Sequence, residues 1–97
     1  MRRVSEILNH QFLAAIEVEE SRAHAMHGEP RDIYEMLAIL GEEFGELQAA
    51  VLDFDYDDAP LDNAAKECIQ VGAMALKLYK VLKLQVAFHS PRGRLND

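Results

Sequence analysis

The residues best suited to chemistry are carboxylates in places where a carboxylate is expensive. Glu42-Glu43-Phe44-Gly45-Glu46 interrupts a run of apolar positions, and Glu67 stands among Ala64, Cys68, Ile69 and Val71. Residues three apart are neighbours on a helix surface, so Glu43 and Glu46 can point at one object. At about 100° per residue, Glu43 lies roughly 60° from Leu40 and Glu46 roughly 120° from it. Two like charges there repel unless a cation or full solvation separates them. Glu67 sharpens the case, because an ionised group in apolar surroundings is costly unless it is paired or metal-bound. Gln70, one turn further on, adds a neutral oxygen ligand. Oxygen-only ligands select a hard cation, with Mg²⁺ or Mn²⁺ favoured over zinc. The plain alternative is a solvated helical face, and Glu42 is assigned to one.

Three periodic stretches must position these groups. The first runs from about Val4 to His27, with Val4, Ile7, Leu8, Phe12, Ala15 and Ile16 at helical spacing, and Gly28 and Pro30 end it. The second begins near Arg31, and Ile33, Leu37, Leu40, Phe44, Leu47, Val51 and Phe54 form an apolar seam. The segment from Asp53 to Pro60 breaks that pattern. Asp57 or Asp58 is the expected N-cap and Pro60 the first-turn residue of the third helix. That helix spans about Leu61 to Val86, with Leu61, Ala65, Cys68, Gly72, Ala75, Tyr79, Leu82 and Val86 as its seam. Ala64, Ala65, Gly72, Ala73 and Ala75 allow a neighbouring helix to come close. From Cys68 to Leu76 the helix is apolar almost all round, which predicts that it is enclosed on most sides. Residues 89–97 read as a polar tail. The expected fold is all-α, a single domain over residues 1–97. It is a bundle of three main helices completed by homo-oligomerisation, as a dimer or tetramer.

Composition bounds the function. Hydrophobic residues make up 49% of the 97, which places the chain among globular proteins. The formal charge of −7 argues against binding nucleic acid or an anionic membrane through the bulk surface. An acidic protein meets a phosphorylated ligand through an intervening cation. One cysteine, Cys68, excludes an internal disulfide and fits a reducing cytoplasm. With no membrane span or signal-peptide pattern in the chain, a cytoplasmic location is the expectation.

Glu43-x-x-Glu46, followed after twenty residues by Glu67-x-x-Gln70, resembles the MazG-like all-α nucleoside triphosphate pyrophosphohydrolases, whose signature is E-x-x-E, a spacer, then E-x-x-D. The contexts Ile39-Leu40-Gly41-Glu42-Glu43-Phe44-Gly45-Glu46-Leu47 and Lys66-Glu67-Cys68-Ile69-Gln70-Val71-Gly72-Ala73-Met74-Ala75 are also similar, and His27-Gly28 is similar to a short-chain branch. The resemblance covers roughly residues 20–82. It implies Mg²⁺-dependent cleavage of a nucleoside triphosphate to monophosphate and pyrophosphate, a house-cleaning hydrolase acting on acid anhydrides. Glu43, Glu46 and Glu67 would then be the catalytic metal ligands, acting through an activated water. Gln70 departs from the longer signature. An amide binds Mg²⁺ more weakly than a carboxylate and cannot act as a base, which weakens the case for a second metal and for turnover. The short-chain branch also carries Gln there. The competing reading is a non-catalytic helical module that binds a nucleotide or a cation.

Lys66 and Lys77 fall near the face of Gln70 and could meet phosphates, although solvated lysines need no such partner. His24 and His27 share a helix face, and His27 is a candidate substrate contact. Asp53, Asp55 and Asp57 start like a calcium loop. Asp58 and Ala64 then stand where that loop needs Gly and Glu, so the segment reads as a polar turn. Met26, Met36 and Met74 read as core filler, and Cys68 as a buried thiol.

Overall fold

In the computed structural model, which describes residues 2–27 and 32–88, the chain is three helices and, among those residues, no strand. Helix α1 spans Arg2–His27, α2 Ile33–Asp57 and α3 Leu61–Phe88. The Gly28/Pro30 break and the 89–97 tail lie outside the described residues.

The start of α2 has a local cause. Asp32 is extended, and its Oδ1 accepts the Glu35 backbone N–H at 2.8 Å, satisfying one of the donors a helix N-terminus leaves over. Such a cap contributes about 1 kcal/mol. The other end differs from the expectation. Residues 53–57 do not form a polar turn but remain helical, so the interruption is only 58–60. Asp58 caps no new helix. It closes α2 in the left-handed region, at φ 58°, and its N–H donates to the Asp53 carbonyl. Aspartate tolerates that conformation better than most residues do. A three-residue link then folds α3 back antiparallel onto α2.

Helix α3 is the centre, with α2 packed on one flank and α1 on another. Its middle is enclosed as expected from residue 69 to 74. The packed face differs from the apolar seam read in the sequence. The residues turned inward are Ala64, Glu67, Val71, Met74, Leu78 and Val81, spaced three and four apart. Leu61, Ala65, Cys68, Ala75, Tyr79, Leu82 and Val86, all but one of the expected seam, are exposed. On α2 the seam divides. Met36 is 1% exposed, and Leu40 and Leu47 are half-buried, whereas Leu37, Phe44, Val51 and Phe54 are open. Met74 is half-buried, but Met26 is exposed and so is no core filler. Apolar periodicity shows which residues share a face; it does not show which face is covered.

Close approach of α1 occurs at Gly72, where a Cβ would stand 2.8 Å from Ile16 Cγ2 and 2.9 Å from Phe12 Cζ. Lys80 Nζ on α3 reaches Glu20 Oε1 on α1 at 3.1 Å and ties the same two helices. Around Gly45, by contrast, nothing lies within 4 Å of a built Cβ.

These two glycines should respond oppositely to substitution. Gly45→Ala removes a flexible residue from a helix interior with no steric consequence and should stabilise by about 0.5–1 kcal/mol. Gly72→Leu forces α1 off α3 and should cost about 1–3 kcal/mol. Thermal unfolding followed by circular dichroism reads both; a neutral Gly72→Leu would mean that α1 is not packed at this point.

Candidate metal centre

Three carboxylates converge where α2 and α3 pack together. Glu43 and Glu46 lie one turn apart on α2, and Glu67 is on the inward face of α3. Each offers an oxygen, and the three oxygens lie within 4.8 Å of one another. Glu43 and Glu67 are half-buried, while Glu46 sits at the open rim. Glu67 Oε1 is buried without a hydrogen-bond partner. A buried carboxylate oxygen left unpaired loses its hydration and receives nothing in return.

The electrostatics are one-sided. Burial raises the Glu43 carboxyl above its ordinary range, and the charges of Glu46 and Glu67, a hydrogen bond shared with Glu46 and the charge of Glu19 push the same way. Three of the described cations are engaged elsewhere: Lys66 with Asp62 at 3.6 Å, Lys80 with Glu20, and Arg22 with Glu19. A divalent cation fits this donor set. It is oxygen-only, rich in negative charge, and includes one oxygen with no other partner.

The structure also brings in Glu19, which spacing along the chain does not single out. Its side chain is 15% exposed. Both its oxygens take hydrogen bonds from Arg22, with Nε donating to Oε1 at 3.0 Å. The Arg22 hydrogen bond lowers the Glu19 carboxyl below its usual range; burial opposes this, and the Gln70 side-chain amide and the Arg22 charge add to the lowering. Glu19 lies in the run Glu17-Val18-Glu19-Glu20, where its neighbours have the same chemistry. Only the packing of α1 on α3 distinguishes it.

The remaining expected residues scatter. Gln70 is half-buried and, with Glu19, Lys66, Ala14, Ala15, Val18 and Ile69, lines a groove of about 500 Å³ between α1 and α3. Lys66 therefore stands at a groove rim, although its charge is shared with Asp62. Lys77 is half-buried two turns beyond Gln70. The His27 side chain lies outside the described residues. Cys68, expected to be buried, is exposed because it falls on the open flank of α3. No described helix is long and apolar enough to cross a membrane.

Comparison of the chain with protein-family models, with curated proteins and with solved structures gave no match.

Proposed function

We propose that the protein is a Mg²⁺-dependent nucleoside triphosphate pyrophosphohydrolase, releasing monophosphate and pyrophosphate. The observation that carries it is the unpartnered, buried Glu67 Oε1 in a cluster whose three carboxylates, with Glu43 and Glu46, bring oxygens within 4.8 Å of one another. The MazG-like pattern of these residues supports the same reading and names the substrate class. Glu43, Glu46 and Glu67 would hold the cation, Mg²⁺ or Mn²⁺. Bound there, it supplies charge neutralisation for the triphosphate and Lewis acidity towards water and phosphoryl oxygen. The chain's own groups do the rest. The half-buried position of Glu43 and Glu67 limits water around the charged groups, which strengthens electrostatic interactions. Gln70 offers hydrogen bonds without a charge, and Lys66 brings a cation to the groove beside it.

Pyrophosphate release from a panel of canonical and modified nucleoside triphosphates, with and without Mg²⁺, tests the reading directly. Glu67→Gln should lower turnover at least about a hundredfold, since it removes a charged metal ligand while keeping the shape. Metal binding without turnover on any triphosphate would favour the binding-module alternative instead.

A pH experiment examines the carboxylates themselves. Because the folded chain holds the Glu43 proton above its ordinary range, that group's contribution to stability is full below the unfolded pKa. It is lost as pH rises through the higher folded value. Mg²⁺ competes with that proton, so the rise in Tm on adding Mg²⁺ should be small near about pH 5 and larger near about pH 7.5. Glu43→Gln should raise Tm without metal, by the equivalent of about 0.5–2 kcal/mol, and abolish the response to Mg²⁺. An Mg²⁺ response that is flat with pH would place the cation elsewhere.

We further propose that the chain works as a homo-oligomer. Among the described residues only Met36, Ala64 and Ala73 form a buried apolar core. A stable subunit interface buries about 800 Å² or more per partner. Leu37, Phe44 and Val51 of α2 and Tyr79, Leu82 and Val86 of α3 supply a surface for a second copy. Light scattering at micromolar concentration should give a dimer or tetramer. Combining Leu37→Asp with Leu82→Asp should shift it towards monomer; an unchanged mass would exclude this face.

A further inference from the structure

Helix α1 meets α3 through Phe12 and Ile16 at Gly72 and through Glu20 at Lys80. A different face of the same helix carries Val4, Ile7, Leu8, Gln11, Ala14, Ala15 and Val18, which recur at helical spacing over four turns. Val4, Ile7, Leu8 and Val18 are between 48% and 69% exposed. No charged residue interrupts the stripe, and Glu6 and Glu17 lie about 120–140° around the helix from its centre. Two copies of an acidic chain can therefore approach here without bringing like charges together. Residues 3–14 are exposed throughout, and a helical segment of that length is marginal in water without a partner.

The order of sizes along the stripe says what covers it. Val4, Ile7 and Leu8 project from one half, Ala14 and Ala15 leave room in the other, and Gln11 stands between. Ala14, Ala15 and Val18 also line the groove of about 500 Å³ beside Ile69 of α3. With a second α1 turned end for end about Gln11, Ile7 of the partner subunit meets Ala15, Leu8 of the partner subunit meets Ala14, and Val4 of the partner subunit meets Val18. A parallel pair would set Leu8 against Leu8 and leave a gap at the alanines, losing packing at both ends. On the axis the two Gln11 amides can satisfy each other, since an amide both donates and accepts. Reversal also brings Arg3 to the flank of Glu17 of the partner subunit, opposite in charge.

We propose that α1 pairs antiparallel with α1 of a second copy, with the large side chains of each filling the alanine end of the other. The contact is isologous, so a single stripe supplies both halves. It is a different surface from the hairpin face proposed above and depends on neither that face nor hydrolysis. The partner's helix then becomes a wall of the groove that Gln70 and Lys66 also line.

Light scattering of the full chain at micromolar concentration is the first test: Leu8→Asp should halve the mass. Cross-linking reads this face alone. In a Cys68→Ser chain with an added oxidant, Gln11→Cys should link two copies across the axis. Val4→Cys should not, because the two sites lie about 20 Å apart along the pair, whereas Val4→Cys combined with Val18→Cys should. Linkage through Val4→Cys alone would mean parallel helices, and no linkage through Gln11→Cys would mean no pairing at this stripe; either overturns the proposal. An unchanged mass for Leu8→Asp, with nucleoside triphosphate binding weakened by Ala15→Trp, would assign the groove to the ligand and overturn it as well. Loss of hydrolysis, or of the hairpin contact, leaves the Gln11→Cys result as it is, so the two sets of claims fail separately.

Discussion

Mutual repulsion among Glu43, Glu46 and Glu67 is the constraint around which the chain is arranged. Three carboxylate oxygens within 4.8 Å of one another, in a cluster where Glu67 Oε1 is buried and unpartnered, oppose the closing of the α2–α3 hairpin. Closing is nonetheless enforced nearby. The three-residue link at Asp58-Ala59-Pro60 ties the helices together on one side of the cluster, and Met36 is sunk into the contact on the other. Between these fixed points the acidic turn has little freedom to spread. The carboxylates therefore stay together, whereas a solvated acidic face would occupy the outside of the hairpin.

Helix α3 can serve two neighbours because its middle is built from small residues. Ala64 and Ala73 are buried, and Gly72 admits Ile16 and Phe12 at distances no side chain would tolerate. Close approach at Gly72 brings α1 against α3, and with it Glu19 and Gln70 into the lining of one groove. A local packing decision therefore determines which polar groups meet, and the Lys80–Glu20 pair reinforces it from a neighbouring point. Since a partly exposed pair contributes little by itself, apolar approach at Gly72 is the stronger of the two contributions.

Much of this was legible in the residues. The three helices follow from apolar periodicity, although the N-cap expected at Asp57 or Asp58 does not form, and Glu67 stands out because a charge among small apolar residues has no solvated face to occupy. The same spacing does not identify the covered face. The stripe from Leu61 to Val86 has a core-like spacing, yet it lies outward, and the inward face of α3 contains a glutamate and several residues of modest size. Spacing fixes the angular relation of residues on one helix but holds no information about where the next helix lies. For the same reason Glu19 was invisible among three glutamates, and Cys68 was mistaken for a buried thiol. Asp53, Asp55 and Asp57 misled differently. Their composition favours a turn, but Phe54 and Val51 continue the helical spacing and the helix runs on to Asp57.

The outward stripes have an order of their own. On α2, Leu37, Phe44 and Val51 fall on the flank away from Glu46; on α3, Cys68, Ala75 and Leu82 fall on the flank away from Gln70. In an antiparallel hairpin those two flanks face the same way, so one side of the hairpin is apolar and the other acidic. This division resolves a conflict inherent in a chain of this length. A core large enough to stabilise three helices would have to enclose the carboxylates, at a high desolvation cost, or displace them. Placing the apolar surface on one side of the hairpin and the charge on the other leaves the carboxylates open to solvent without interrupting the apolar stripe. The thin core is thus a consequence of where the charges sit, and the surface that it leaves uncovered is the one whose covering would not close the acidic side.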